Sequence, residues 1–172
     1  KSLLPVRDGQ SFLDLTVAQV LAARKRYGAR LPLVFMNSFS TQEDTLAALA
    51  AYPTLPVADL PLDFLQSKEP KLRRDTLLPV EWPADPELEW CPPGHGDLYP
   101  SLLASGLLDQ LIAAGFTQAN VANSDNLGAG PSAEIAAWFE DSGAPYAAEV
   151  CTRTEMDRKG GHLARRRSDG RL

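Results

Sequence analysis

Residues 31–36 read Leu-Pro-Leu-Val-Phe-Met, an unbroken apolar run. A strand buried on both faces reads this way, because neither face alternates with polar residues. Upstream, Leu13, Val17, Val20 and Leu21 recur at helical spacing, which predicts a helix over 12–27. Ser11 can cap that helix with Asp14 three residues on, and Gly28 ends it. Downstream, Thr41 and Asp44 start a second helix with Leu46 and Leu49 inward, stopped at Pro53. A helix, a buried strand and another helix in this order imply an α/β fold with a mostly parallel sheet, whose ligands bind at the carboxyl ends of the strands.

The flanks extend the pattern. Residues 2–6 read as a short strand and Arg7-Asp8-Gly9 as a turn. Leu107, Leu108, Leu111 and Ile112 form one face of a helix ending at Gly115. Residues 118–122 read as a strand, Pro131 as the first turn of a helix with Ile135, Trp138 and Phe139 as its apolar stripe, and Gly143 as its end. Residues 146–154 read as another strand, and 162–172 as one arm of a hairpin turning at Ser168-Asp169-Gly170. Ten of the fourteen prolines lie between Pro53 and Pro100. That stretch also carries Phe64, Leu65, Leu77, Leu78, Trp82 and Trp90, too much apolar surface for a free linker, so it is expected to order against the body.

Composition bounds the class. The 172 residues suffice for one core, and 44% hydrophobic with 23% charged is globular. No apolar run nears the roughly 18 residues of a membrane helix, and the N-terminus does not read as a signal peptide. The net charge of −5 argues against a nucleic-acid partner. Residues 153–172 hold seven basic and three acidic residues, +4, so the remainder carries −9; a basic end on an acidic body suits an anionic ligand or a solvated hairpin. Cys91 and Cys151 are distant and form no CxxC pair, as in a reduced, cytoplasmic protein. There is no GxGxxG fingerprint, no P-loop, no GxSxG elbow and no convincing zinc spacing.

Four segments can carry chemistry. In Pro92-Pro93-Gly94-His95-Gly96-Asp97, glycines flank a histidine just before a helix start, where free N–H groups suit phosphate; the alternative is an ordinary loop with Asp97 as the helix cap. In Asn123-Ser124-Asp125-Asn126-Leu127-Gly128, a carboxylate past a strand end can hold Mg²⁺ beside phosphates, and the alternative is an Asx-rich turn. Counted from Asn123, Asp125, Gly128 and Glu134 fall at positions 3, 6 and 12 of a calcium loop, but Asn at position 1, Leu127 at position 5 and a preceding strand speak against one. Lys159-Gly160-Gly161-His162 permits a close ligand approach or is a turn. In Gln66-Ser67-Lys68, a glutamine can read a base edge by paired hydrogen bonds or simply make the loop polar.

Taken in order, Lys1-Ser2 before Arg7-Asp8-Gly9, Met36-Asn37-Ser38-Phe39-Ser40-Thr41, Phe64-Leu65-Gln66-Ser67-Lys68, Pro92-Pro93-Gly94-His95-Gly96-Asp97, Asn123-Ser124-Asp125-Asn126-Leu127-Gly128 and Lys159-Gly160-Gly161 resemble the eukaryotic-type UTP–glucose-1-phosphate uridylyltransferases, or UDP-glucose pyrophosphorylases. The resemblance implies a three-layer α/β/α nucleotidyltransferase domain of glycosyltransferase-A-like type, with a Rossmann-like mixed sheet. It implies Mg²⁺-dependent formation of UDP-glucose and pyrophosphate from UTP and glucose 1-phosphate. It places Gln66 and Gly94 at uracil, His95 at the phosphate or sugar of glucose 1-phosphate, and Asp125 at Mg²⁺ near the α-phosphate. Asn123 falls at the ribose or sugar, Lys1 at phosphates, and Gly160 and Gly161 in the sugar pocket.

His95 favours glucose, since related UDP-N-acetylhexosamine pyrophosphorylases tend to carry Asn in that loop. Broad-range UDP-sugar pyrophosphorylases share the histidine and are the alternative. Thr152 and His162 depart from the family pattern, the first where many relatives have an Asn touching the sugar. The resemblance further implies that residues 1–172 are the central part of a catalytic domain truncated at both ends. The chain starts at the lysine closing the Gly-rich UTP loop, without that loop, the later catalytic lysine or the family's C-terminal β-helix domain. The expectation for such a piece alone is an inactive, nucleotide-sugar-binding fragment with an exposed sheet edge.

Overall fold

The structure, a computed structural model describing residues 1–157 and 164–171, divides into two compact units, Lys1–Ala136 and Ala137–Leu172. The first begins with a hairpin. Strand β1 (Pro5–Arg7) pairs antiparallel with β2 (Gln10–Ser11) across Asp8 and Gly9, both at positive φ (51° and 77°). A two-residue turn with both positions left-handed matches the strand twist, and Asp-Gly is suited to it. Ser11 then caps α1 (Phe12–Tyr27) as the sequence predicts: its hydroxyl accepts the Asp14 N–H at 3.2 Å, and the Asp14 carboxylate accepts the Ser11 N–H at 2.7 Å. Gly28, left-handed at φ 61°, closes the helix.

The apolar run forms a shorter strand than expected, β3 (Phe35–Asn37). Pro32 has no N–H to give a ladder, and pairing begins where Phe35 N donates to Leu62 O. The run is nonetheless used on both faces. Leu33 and Phe35 pack on a core of Leu13, Val17, Leu49 and Leu55; Val34 and Met36 pack on a second core of Leu60, Phe64 and Leu107. Fully burying each such side chain contributes about 1.5–3 kcal/mol. Arg24 of α1 fastens the first core's edge, donating to the carbonyls of Leu31 and Leu55 at 2.8 Å each.

Helix α2 (Gln42–Leu49) buries Thr45 and Leu49, whereas Leu46, expected inward, is exposed. Strand β4 (Asp63–Leu65) runs parallel to β3 with Phe35 opposite Asp63 and Asn37 opposite Leu65. It comes from inside the proline-rich stretch. The rest of that stretch makes β5 (Glu69–Pro70) paired antiparallel with β6 (Trp90–Cys91), joined by a loop that includes a single 3₁₀ turn at Pro86–Glu89. Leu55, Leu60 and Phe64 are core, but Leu77, Leu78 and Trp82 are 71%, 63% and 54% exposed, so that loop holds itself by its own backbone bonds rather than by packing on the body.

Helical structure starts just after Asp97, where the 92–97 segment is read to lead into a helix, with α3 (Leu98–Ala104) carrying Pro100 in its first turn, and continues as α4 (Leu107–Ala113). Leu107 is buried, whereas Ile112 is exposed. Residues 118–122 and 146–154 are not strands among the described residues; a strand exists through its ladder, and no ladder includes either segment there. In place of the expected mostly parallel sheet, the described residues form three two-stranded sheets, of which one is parallel. Helix α5 (Ala133–Ser142) begins after Pro131 because Ser132 takes the cap, its hydroxyl accepting the Ile135 N–H; Ile135 and Trp138 of the expected stripe are 60% exposed.

The second unit holds a turn in which the Asp157 carboxylate accepts the N–H and hydroxyl of Thr154. A second turn, with Gly170 at φ 71°, lets Arg166 N donate to Arg171 O at 2.7 Å, as the Ser168-Asp169-Gly170 reading expects. Among the described residues no helix is long and apolar enough to cross a membrane.

Candidate functional site

The parallel pair β3/β4 delivers two loops at its carboxyl ends, one starting at Ser38 and one at Gln66. Gln66 N donates to the Asn37 carbonyl at 2.8 Å, continuing the ladder one step past β4. Its side chain then reaches 28 residues along the chain, where Oε1 accepts the Gly94 N–H at 2.9 Å. Two residues expected at one base are thus in contact. Since the backbone N–H needs an acceptor, this bond fixes which amide atom is oxygen, and the Nε2 donors have no acceptor among the described residues. Gly94 has φ 94° and ψ −157°. A side chain there would have room, so the glycine is required by backbone conformation and not by crowding.

A second tie lies beside the first. Ser67 N donates to Asp97 Oδ2 at 2.6 Å, and the hydroxyl of the buried Ser101 donates to the same oxygen. The Ser101 hydroxyl first, then the Ser67 N–H, hold the Asp97 carboxyl below the usual carboxylate range. Asp97 occupies the cap position of α3 without capping it, so the helix-cap reading is replaced by a cross-loop contact. His95 lies in the 3₁₀ turn His95–Asp97 between these ties, its side chain exposed and without a hydrogen bond among the described residues.

Beneath Gln66 is a polar cluster that sequence reading missed. Asp63 Oδ2 accepts from Asn37 Nδ2 at 3.0 Å and from Gln42 Nε2 at 2.9 Å, while the Thr41 hydroxyl accepts the Ser38 N–H at 3.0 Å. Asn37 and Ser38 are each only 5% exposed. The polar residues Asn37, Ser38, Ser40, Thr41 and Gln42, interrupted only by Phe39 just after an apolar strand, were the available signal. Lys68 is held between the rings of Phe39 and Trp90, at 4.6 and 5.3 Å from their centres, and pairs with Glu87 at 3.2 Å.

The other half of the site joins the two ends of the first unit. Lys1 Nζ stands 3.4 Å from Asp125 Oδ2. Asp125 is carried on a tight Asx turn: Asn126 N donates to the Asn123 carbonyl at 3.0 Å, and Gly128 N to Asn126 Oδ1 at 3.2 Å. Gln19 of α1 docks the loop by donating to the Leu127 carbonyl at 2.9 Å. Asn123 is exposed.

Asp125 offers a hard, partly exposed carboxylate oxygen beside a cation, a donor set that suits an ion holding most of its water and binding through phosphates. Among the described residues no three His, Cys, Asp or Glu side chains stand together as a metal cage, and the Glu134 carboxylate accepts from the Ser132 hydroxyl, which leaves the calcium-loop spacing without a structural counterpart. Gly160 and Gly161, with Lys159 and His162, lie outside the described residues. A surface groove along α1, lined by Val6, Leu15, Ala18 and Leu127, includes none of the expected site residues.

The family model described as UTP–glucose-1-phosphate uridylyltransferase matches residues 1–172. A probable UTP–glucose-1-phosphate uridylyltransferase of Schizosaccharomyces pombe is 43% identical over 164 residues, and the Saccharomyces cerevisiae UTP–glucose-1-phosphate uridylyltransferase 42% over 164; each alignment covers 95% of this chain and 32% of the relative. The chain therefore spans about a third of the length of the curated relatives it matches. Among solved structures, the UDP-glucose phosphorylase of Trypanosoma brucei superposes with a TM-score of 0.85 at 44% identity, covering 95% of this chain and 35% of that one. A variant of the Leishmania major UDP-glucose pyrophosphorylase, solved in complex with UDP-glucose, gives 0.85 at 43% identity, covering 96% and 35%. The match along the whole sequence, and the mixed α/β fold shared with these structures, mean that this chain belongs to the UTP–glucose-1-phosphate uridylyltransferase family.

Proposed function

We propose that this chain contributes the uridine- and phosphate-binding part of a uridylyltransferase that forms UDP-glucose and pyrophosphate from UTP and glucose 1-phosphate. The observation that carries the proposal is the pairing of distant residues: Gln66 with Gly94, and Lys1 with Asp125. A phosphate oxygen of glucose 1-phosphate attacks the α-phosphorus of UTP, the bond to the β-phosphate oxygen breaks, and pyrophosphate leaves. Such in-line transfer asks the protein to position groups and neutralise charge.

Each residue has a part in that task. Gln66, its Oε1 held by Gly94, offers amide N–H donors, which suit a carbonyl edge such as uracil presents. Gly94 lets the backbone approach the base. Lys1 supplies positive charge to phosphates. His95, on an exposed turn, meets the phosphate or sugar of glucose 1-phosphate, and Asn123 the ribose or sugar. By the family resemblance, Gly160 and Gly161 would meet the sugar. Asp125 would hold Mg²⁺, which when bound supplies charge neutralisation at the phosphates. The surrounding fold is read as a three-layer α/β/α nucleotidyltransferase domain. The free cysteines, Cys91 and Cys151, fit a reducing cytoplasmic setting.

The test is direct. The full-length protein, given UTP, glucose 1-phosphate and Mg²⁺, is expected to release pyrophosphate and form UDP-glucose. UDP-glucose is also expected to raise the melting temperature, since it binds the folded state. No product and no shift at millimolar ligand would refute the proposal.

A further inference from the structure

Gln66 is useful for base reading only if its amide is held still, and the structure shows what holds it. Its own N–H is fixed to the Asn37 carbonyl on β3. Its amide oxygen is fixed to Gly94. The next residue's N–H, that of Ser67, is fixed to Asp97. The last two bonds are parallel ties between adjacent residues, 66 and 67, and the two ends of one short loop, 94 and 97. A single tie would act as a pivot; two set both the spacing and the angle of the loops.

Asp97 is itself anchored. Its Oδ2 receives the Ser101 hydroxyl from α3, and α3 sits on the second core through Leu98 and Leu102. The path from core to base-reading amide therefore runs through α3, Ser101, Asp97 and Ser67. An ionised acceptor makes bonds roughly twice as strong as a neutral one, which suits a group that must grip two donors at one oxygen. The carboxylate is not spent on capping α3, which is where a residue at this position would ordinarily be used.

We infer that Asp97 is a positioning residue for uridine recognition, acting through Ser67 and the 94–97 loop to hold Gln66 and Gly94 in register. The inference rests on the reading of Gln66 and Gly94 as the base-contacting pair. It implies selectivity as well as affinity, because a loosened Gln66 amide can no longer separate a carbonyl edge from an amino edge.

Calorimetric titration of the full-length protein with UDP and with CDP tests it. Asp97→Ala is expected to weaken UDP binding about tenfold and to shrink the UDP-over-CDP preference. Asp97→Asn, which keeps a carbonyl oxygen for both donors, is expected to restore UDP affinity to within about threefold. Ser101→Ala is expected to fall between them, and serves with Asp97→Asn if the alanine variant does not fold. Unchanged UDP affinity and UDP-over-CDP preference in Asp97→Ala and Ser101→Ala, with only a lower melting temperature, would overturn the inference and leave Asp97 a plain brace. Gln66→Ala separates the two readings. If it too leaves UDP binding and preference intact, the base-contact assignment fails; if it weakens UDP while the Asp97 and Ser101 variants do not, the positioning inference alone fails.

Discussion

Lys1 Nζ and Asp125 Oδ2 stand 3.4 Å apart although 124 positions separate them in sequence. The lysine side chain is 80% exposed and the aspartate 34%, so the pair contributes at most about 1 kcal/mol to stability. What it fixes is proximity between a cation suited to phosphates and a carboxylate suited to a divalent ion. Asp125→Ala is therefore expected to abolish Mg²⁺-dependent UDP-glucose formation by the full-length protein, while moving the unfolding free energy by no more than about 1 kcal/mol. Pyrophosphate release across a Mg²⁺ titration, beside a urea melt, checks both halves. Wild-type turnover would remove the metal role; a large loss of stability would make Asp125 structural.

Much of this site was legible because its loops are written locally. Ser11, Asp14 and Gly28 mark α1 by cap chemistry that needs no distant partner, and both ends form as read. Glycine loops around 94 and 128 announce themselves by residue type. Contacts that depend on pairing across the chain were not legible. Nothing near Asp97 says that its carboxylate will meet Ser67 rather than cap α3, and nothing near Asp63 says that Asn37 and Gln42 will converge on it. The same reason accounts for residues 118–122 and 146–154, whose β-like composition finds no ladder partner among the described residues. It also accounts for Leu77, Leu78 and Trp82. Apolar content predicted burial, but the loop's own bonds, such as Arg73 N to Leu78 O at 2.8 Å, satisfy its backbone away from the cores.

Gly94 provides a second test. At φ 94° an L-residue is strained by roughly 1–3 kcal/mol even where its side chain has space, as it does here. Gly94→Ala is expected to lower stability by that order and to rotate the N–H away from Gln66 Oε1. The signature is a rise in KM for UTP well beyond the rise in KM for glucose 1-phosphate. Equal rises would mean that the loop acts on the whole site and not on the base.

Away from the site, Tyr52 donates its hydroxyl to Asp14 Oδ1 at 2.6 Å, tying the chain after α2 to the first turn of α1. The Tyr52 hydroxyl first, then the Ser11 hydroxyl and N–H, hold the Asp14 carboxyl below its usual range. The same bond to Asp14 first, then burial and the aspartate's charge, push the Tyr52 phenol up. The two shifts act at opposite ends of the pH scale. A depressed carboxyl stabilises the fold above the unfolded value of about 4, and that contribution is lost as pH falls through the folded value. A raised phenol stabilises the fold below about 10, and that contribution is lost as pH climbs through the folded value. Tyr52→Phe removes one hydrogen bond to a charged group, partly open to solvent, and is expected to cost about 1 kcal/mol at neutral pH. It is also expected to flatten the stability profile on both the acid and the alkaline limbs, since Asp14 loses its strongest hydrogen-bond partner and no phenol remains to titrate. Chemical denaturation of the two proteins from pH 3 to pH 11 reads this out. Parallel curves, offset by a constant amount, would show that the Tyr52–Asp14 bond does not couple to either titration.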